Sequence, residues 1–255
     1  MRDIVLNEKK TAAALLSMEA KVEDVRTAIS LVARYDIQAA NIDPETTAAH
    51  VAKTMKLLYS KHNLHQYERQ IAYYVEHAAD WPLSCIDGVP ITQAELDAVA
   101  TRSGIRAQCL AFAMLAIAKL DTMRHPAVDY WLNGDRWGEI VERANLTLTE
   151  DDLCHMIFLM YQDDMVHCGK RVGGRSRRVA YADTAGEPVM MLNDMDFRDL
   201  GYCYRAHIGE KYSRCEECGR WVRQKARGVA KRFCADCAAD NQRALDAAYR
   251  RRKRS

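Results

Sequence analysis

Over residues 1–80, apolar residues return every three or four positions, the period of helices that bury one face. Val22, Val25, Ile29 and Val32 mark one such stripe. Asp43 followed by Pro44 combines a capping side chain with a proline suited to a first turn, so a helix is expected to open there with Val51, Met55 and Leu58 inward. Tyr67, Ile71, Tyr74 and Ala78 line the next one. His62 and His65 sit three apart in what reads as an inter-helix turn, without a further ligand to complete a metal set. The pattern breaks at residues 81–92, WPLSCIDGVPIT, where Pro82, Asp87-Gly88 and Pro90 predict a tight turn or short hairpin. Thr92 then begins a capping box with Glu95. Residues 105–120 are apolar nearly all round, which predicts a central buried helix, and the run is too short to span a bilayer.

Further on the period changes. Residues 136–144 read as a short helix, 145–148 as a turn, and Thr149 with Asp152 caps a second helix that should bury Leu153, Met156, Ile157 and Met160. Two alternating segments, MVHCGKRV and RRVAYAD, follow around Gly173-Gly174-Arg175-Ser176 and read as two strands. Helix, turn, helix and hairpin is the order of a winged helix. Its wing would carry Lys170, Arg171, Arg175, Arg177 and Arg178, suited to phosphates. The second helix is unsuited to reading bases. Glu150, Asp151 and Asp152 open it, Asp163 and Asp164 end it, and no Lys or Arg lies between. A packing or dimerisation role is the better expectation for that module. PVMML (188–192) is a further strand, and Asp194, Asp196 and Asp199 read as turn and capping residues rather than a hard-cation site.

The strongest chemical signal is near the end. Cys215 and Cys218 form one Cys-x-x-Cys pair, Cys234 and Cys237 a second, with fifteen residues between. Four thiolates at this spacing are the ligand set of one structural, tetrahedral Zn²⁺. Gly219 follows the first pair, where a chain turning round a metal has no room for a Cβ. Knuckle, basic hairpin (RWVRQKARGVAKRF) and a helix bearing the last two ligands is the order of a treble clef rather than a three-stranded ribbon. His207, eight residues upstream, is not needed as a ligand. The other five cysteines, Cys85, Cys109, Cys154, Cys168 and Cys203, are scattered and are expected to be free and buried.

Charge adds a partner. The chain totals +2, yet residues 211–255 hold fourteen Lys and Arg against five Asp and Glu, a balance of +9 that leaves −7 for the rest. A basic metal-binding tail on an acidic body points to a polyanion, DNA or RNA. Arg220, Arg223, Lys225, Arg227, Lys231 and Arg232 would grip phosphates beside the metal, with Trp221 and Phe233 packing or stacking. Arg250, Arg251, Arg252, Lys253 and Arg254 form a run of like charge expected to stay mobile without a polyanion. The fold expected is therefore mainly α with small β elements. It comprises a helical domain over 1–80, a central helix plus winged-helix-like domain over 81–200, and a four-cysteine treble-clef or ribbon module over 201–255.

No Walker loop, GxGxxG, G-x-S-x-G or H-E-x-x-H motif is present, so catalysis finds no support in the sequence. MRDIVLNEKK has no apolar signal core, and cytoplasm is the expected compartment. The W-P-L-x-x-I-D-G-V-P-I-T-x-x-E-L run (81–96), the winged-helix-like middle and D-F-R-D-L-G-Y before C-E-E-C-G resemble a group of bacteriophage and mobile-element proteins of gut bacteria, to which no activity is attached. The resemblance covers nearly all the chain and implies a gene carried on mobile DNA and a product acting inside a bacterial cell. Two functions are expected candidates. One is a non-catalytic nucleic-acid-binding accessory of replication, transcription or DNA processing. The other is an interaction protein that inhibits or adapts a host complex such as a nucleic-acid-guided nuclease. A host or phage protein complex or a second copy of the chain are the protein partners these readings allow, and no membrane is among the partners.

Overall fold

The computed structural model describes residues 4–60, 62–169, 175–183, 185–225 and 227–254, with the backbone alone for Leu64, Arg251, Arg252 and Arg254. It is mainly helical with small sheets and divides into two compact units, Met1–Gly88 and Val89–Ser255. No helix among the described residues is long and apolar enough to cross a membrane.

The first unit holds α1 (Glu8–Leu16), α2 (Val25–Gln38), α3 (Pro44–Leu58) and α4 (Glu68–Glu76). Asn7, Asp24 and Asp43 cap the first three, each accepting a backbone N–H of the first turn. α2 lies in the middle, packed on α1, α3 and α4, and buries Val25, Ala28, Ile29, Leu31, Val32 and Ala33. Val22 joins the core from just outside the helix, where the Tyr59 hydroxyl donates to its carbonyl at 2.6 Å. Arg34 reaches from α2 to both oxygens of Glu8, at 2.9 and 3.0 Å. His65 belongs to a 3-10 turn between α3 and α4 and pairs with exposed Glu68.

In the second unit, β1 (Val89–Thr92) leads to α5 (Gln93–Ala100), α6 (Ile105–Arg124), β2 (Trp131–Leu132), α7 (Trp137–Arg143) and α8 (Glu150–Gln162). β3 (Val166–Cys168), β4 (Arg177–Val179), β5 (Pro188–Leu192), α9 (Leu200–His207), β6 (Tyr212–Arg214), β7 (Trp221–Arg223) and α10 (Ala235–Arg254) complete it. Every residue of α6 from 109 to 120 is buried, and α5, α7, α9, β1, β2 and β4 pack on it. The single charge in that run is Lys119. Its ammonium donates to Glu95 at 2.7 and 2.9 Å, and Glu95 also accepts the backbone N–H of Thr92 and of Asp183 at 2.8 Å. The capping carboxylate thus satisfies the buried ammonium as well as the helix end.

Three expectations are corrected here. Residues 81–92 form no local hairpin, because β1 pairs antiparallel with β5, about a hundred residues on. β3 and β4 do pair, but only three residues long, and β2 joins them in the order β2-β4-β3. Of the four inward residues assigned to α8, Ile157 and Met160 are buried, while Leu153 and Met156 are only half-buried. Its other face shows Phe158, Leu159 and Tyr161, 53, 42 and 48% exposed.

Candidate metal centre

The chain enters the centre along β6, turns through the first cysteine pair and leaves along β7. Tyr212 faces Arg223 and Arg214 faces Trp221, so the hairpin spans the knuckle itself. This corrects the expected basic hairpin after it. β7 finds its partner upstream because the knuckle already supplies a tight turn, with Cys215 N–H donating to Arg220 O at 2.8 Å and Gly219 N–H to Cys215 O at 2.9 Å. Gly219 holds φ +71°, left-handed backbone that an L side chain would strain. The following basic segment is closed by one side chain. The Gln224 amide donates to Lys231 O at 3.0 Å and accepts Lys231 N–H at 2.7 Å, imitating a strand partner across the loop.

That closure delivers Cys234 to the start of α10 and Cys237 to its first turn. All four sulfurs lie within 4.8 Å of one another, and none is in a disulfide. A tetrahedron with metal–sulfur bonds of about 2.3 Å has edges of about 3.8 Å, and Cys218 Sγ lies 3.7 Å from Cys234 Sγ. The donor set therefore fits a metal ion. The protein also prepares the charge. Burial alone would raise the Cys215 thiol, but backbone N–H groups of Cys218, Cys234 and Glu217 outweigh it and bring the pKa down to about 6. Cys237 is pushed up, first by its hydrogen bond with Cys218. A site that already favours the thiolate at Cys215 suits a positive ion, which binds cysteine as thiolate.

Two carboxylates fix this centre to the rest of its unit. Asp196, almost fully buried, accepts from the Arg214 guanidinium at 2.5 Å, from Trp221 Nε1 at 3.1 Å and from Asn193 N–H at 2.9 Å. Arg214 also lies 4.1 Å over the Trp221 ring. Asp199, equally buried, accepts from Arg220 Nε at 3.3 Å and from Asn145 Nδ2 at 3.1 Å. Both acids do more than cap a turn, and sequence reasoning missed this. The available signal was two acids three residues apart, just ahead of a segment rich in arginine.

The candidate phosphate-binding residues separate into kinds. Arg220 is held by Asp199 and Asp236, and Arg232 is bidentate on Glu216. Arg223, Lys225, Arg227 and Lys231 are exposed, and their side chains make no ion pair among the described residues. Arg175 pairs with Glu150 and Arg178 with Asp129, while Arg177 donates to Ser176 O. Lys170 and Arg171 lie outside the described residues. Arg250 and Lys253 are exposed on α10, and the backbone of Arg251, Arg252 and Arg254 continues that helix. The basic run is therefore helical rather than an unordered tail, since cations at a helix C-terminus oppose its negative dipole end. His207 is exposed on α9 and outside the cluster. Among the other cysteines, Cys109 and Cys203 are buried as expected, whereas Cys85, Cys154 and Cys168 are exposed. The last two face an open cavity of about 400 Å³ beside α8 instead of the core, together with Trp137, Leu153, Ile157, Phe158 and Tyr161. Compared with known proteins, the chain matches no family model, no curated protein and no solved structure.

Proposed function

We propose that residues 211–254 are a zinc finger that binds nucleic acid, and that the protein is a non-catalytic accessory of a phage or mobile element in replication, transcription or DNA processing. Zinc suits the site because four soft thiolates in a closed tetrahedron are its usual structural ligands. A knuckle followed by a helix bearing the last two ligands gives the module the form of a treble clef. The observation that carries the nucleic-acid reading is a set of four exposed cations, Arg223 at the end of β7 and Lys225, Arg227 and Lys231 on the loop after it, between the two cysteine pairs and without an ion pair among the described residues. Cations already balanced by carboxylates add little to polyanion binding, so Arg220 and Arg232 move from contacts to framework.

The test is a salt-dependent gel shift of metal-loaded protein on DNA and RNA. Arg223→Glu, Lys225→Glu and Arg227→Glu together should weaken binding at least tenfold and flatten the log–log salt slope on duplex DNA by about 2.7. Zinc should remain at one per chain. Unchanged affinity and slope would remove this loop as the binding surface.

A second reading draws on α8. The order α6, β2, α7, α8, β3, β4 with sheet order β2-β4-β3 supports reading this part as winged-helix-like. Acids at the start of α8 repel a phosphate backbone, and its exposed Phe158, Leu159 and Tyr161 are what a protein-facing surface offers. On this reading the protein inhibits or adapts a host complex. Absence of binding to bare nucleic acid, with one stoichiometric protein partner, favours it over the first.

A further inference from the structure

Two surfaces of the second unit are left uncovered by the described residues, and they complement each other. α8 carries Glu150, Asp151 and Asp152 in its first turn, is followed by Asp163 and Asp164, and contains no Lys or Arg. Between these acids it exposes Phe158, Leu159 and Tyr161 and borders the cavity of about 400 Å³. Arg175, which lines this cavity with Arg177, already pairs with Glu150, Arg106 with Asp152 and Arg102 with Asp163, so among the described residues Asp151 and Asp164 are the acids left without an ion pair. α10 is the converse. It is exposed along nearly its whole length, ends in residues 250–254, all Arg or Lys, and shows Leu245 and Tyr249 at 65 and 67% exposure. Ala238, Leu245 and Tyr249 fall on one stripe of this helix, at steps of seven and four. Phosphate binding by the basic end would leave that stripe in water.

We propose that α10 of one copy docks on α8 of a second copy, with Leu245 and Tyr249 both against the cavity and the basic end meeting Asp151 or Asp164, the acids of α8 not already paired among the described residues. A large aromatic or aliphatic anchor in a preformed pocket, with opposite charge around it, is the usual centre of an affinity-bearing interface. The contact joins two different surfaces, so using it twice across a two-fold axis closes a dimer. Like surfaces cannot pair as well, since α8 on α8 opposes acids and parallel α10 on α10 opposes arginines. The inference does not depend on nucleic-acid binding.

The test uses metal-loaded, full-length protein freed of nucleic acid and followed by sedimentation. The mass should rise with concentration from 29.0 kDa toward twice that value. Phe158→Glu and Leu245→Glu should each raise the dissociation constant tenfold or more, with zinc content and circular dichroism unchanged, since both residues are exposed. Mixing the two variants is the deciding step, because one chain retains an intact α10 and the other an intact α8. The mixture should associate one to one although neither chain does so alone. A wild type that stays monomeric throughout overturns the proposal, as does a mixture that stays dissociated. An effect of Phe158→Glu without one of Leu245→Glu also overturns it, in favour of a different partner for α8.

Discussion

Asp196 receives a guanidinium, an indole N–H and a backbone N–H in a site almost closed to water. Replacing it by Asn removes the charge while keeping the shape, so one donor of Arg214 loses an ionic acceptor. The expected cost is about 2 kcal/mol, the range of hydrogen bonds to charged groups. Thermal unfolding should show the loss while metal content stays at one ion per chain, because Asp196 is not part of the four-cysteine cluster. An unchanged melting temperature would mean that the finger is held by its apolar contacts alone. At this scale the four clustered cysteines were legible, since two short, repeated spacings encode them. The roles of Asp196 and Asp199 were not, because their partners Arg214 and Arg220 lie about twenty residues away and nothing in the local pattern links them. The exposure of Cys154 and Cys168 was hidden for a related reason: an apolar neighbourhood in sequence does not say whether the space beside it is filled.

Among the elements, α9 is seated by the absence of a side chain. A Cβ at Gly201 would lie 1.8 Å from Ala144 O, in the turn after α7, and 2.5 Å from the carbonyl carbon. Gly201→Ala favours the helix by about 1 kcal/mol in propensity but must displace backbone. A net loss of about 2 kcal/mol is expected in urea unfolding. Gly138→Ala on α7, which meets nothing within 4 Å, should be neutral or stabilising and serves as the control. Helix caps were readable in advance because they are written within four residues, as at Asp43, Thr92 and Thr149. The pairing of β1 with β5 and the two-residue β2 were not readable. Strand partners are chosen by packing on α6, and two residues cannot show an alternation.

For the molecule as a whole, the charge division seen in the sequence survives folding in altered form. Part of the positive charge around the cysteine cluster is consumed internally by Asp196, Asp199 and Glu216, and the cations near it without an ion pair among the described residues are concentrated at the end of β7 and on the loop closed by Gln224. That loop stands out from the surface, with Val229 94% exposed, between two pairs of sulfurs that one ion would join. Trypsin should therefore nick the native chain after Lys225 or Arg227 before it enters the helical units. The break falls between the two cysteine pairs, so if an ion joins them the severed C-terminal piece should still travel with the body through a sizing column. Adding a chelator should release it as a separate peptide. Release without chelator would show that no ion bridges the two halves, and this single column run would report the presence of the staple without any measurement of the metal.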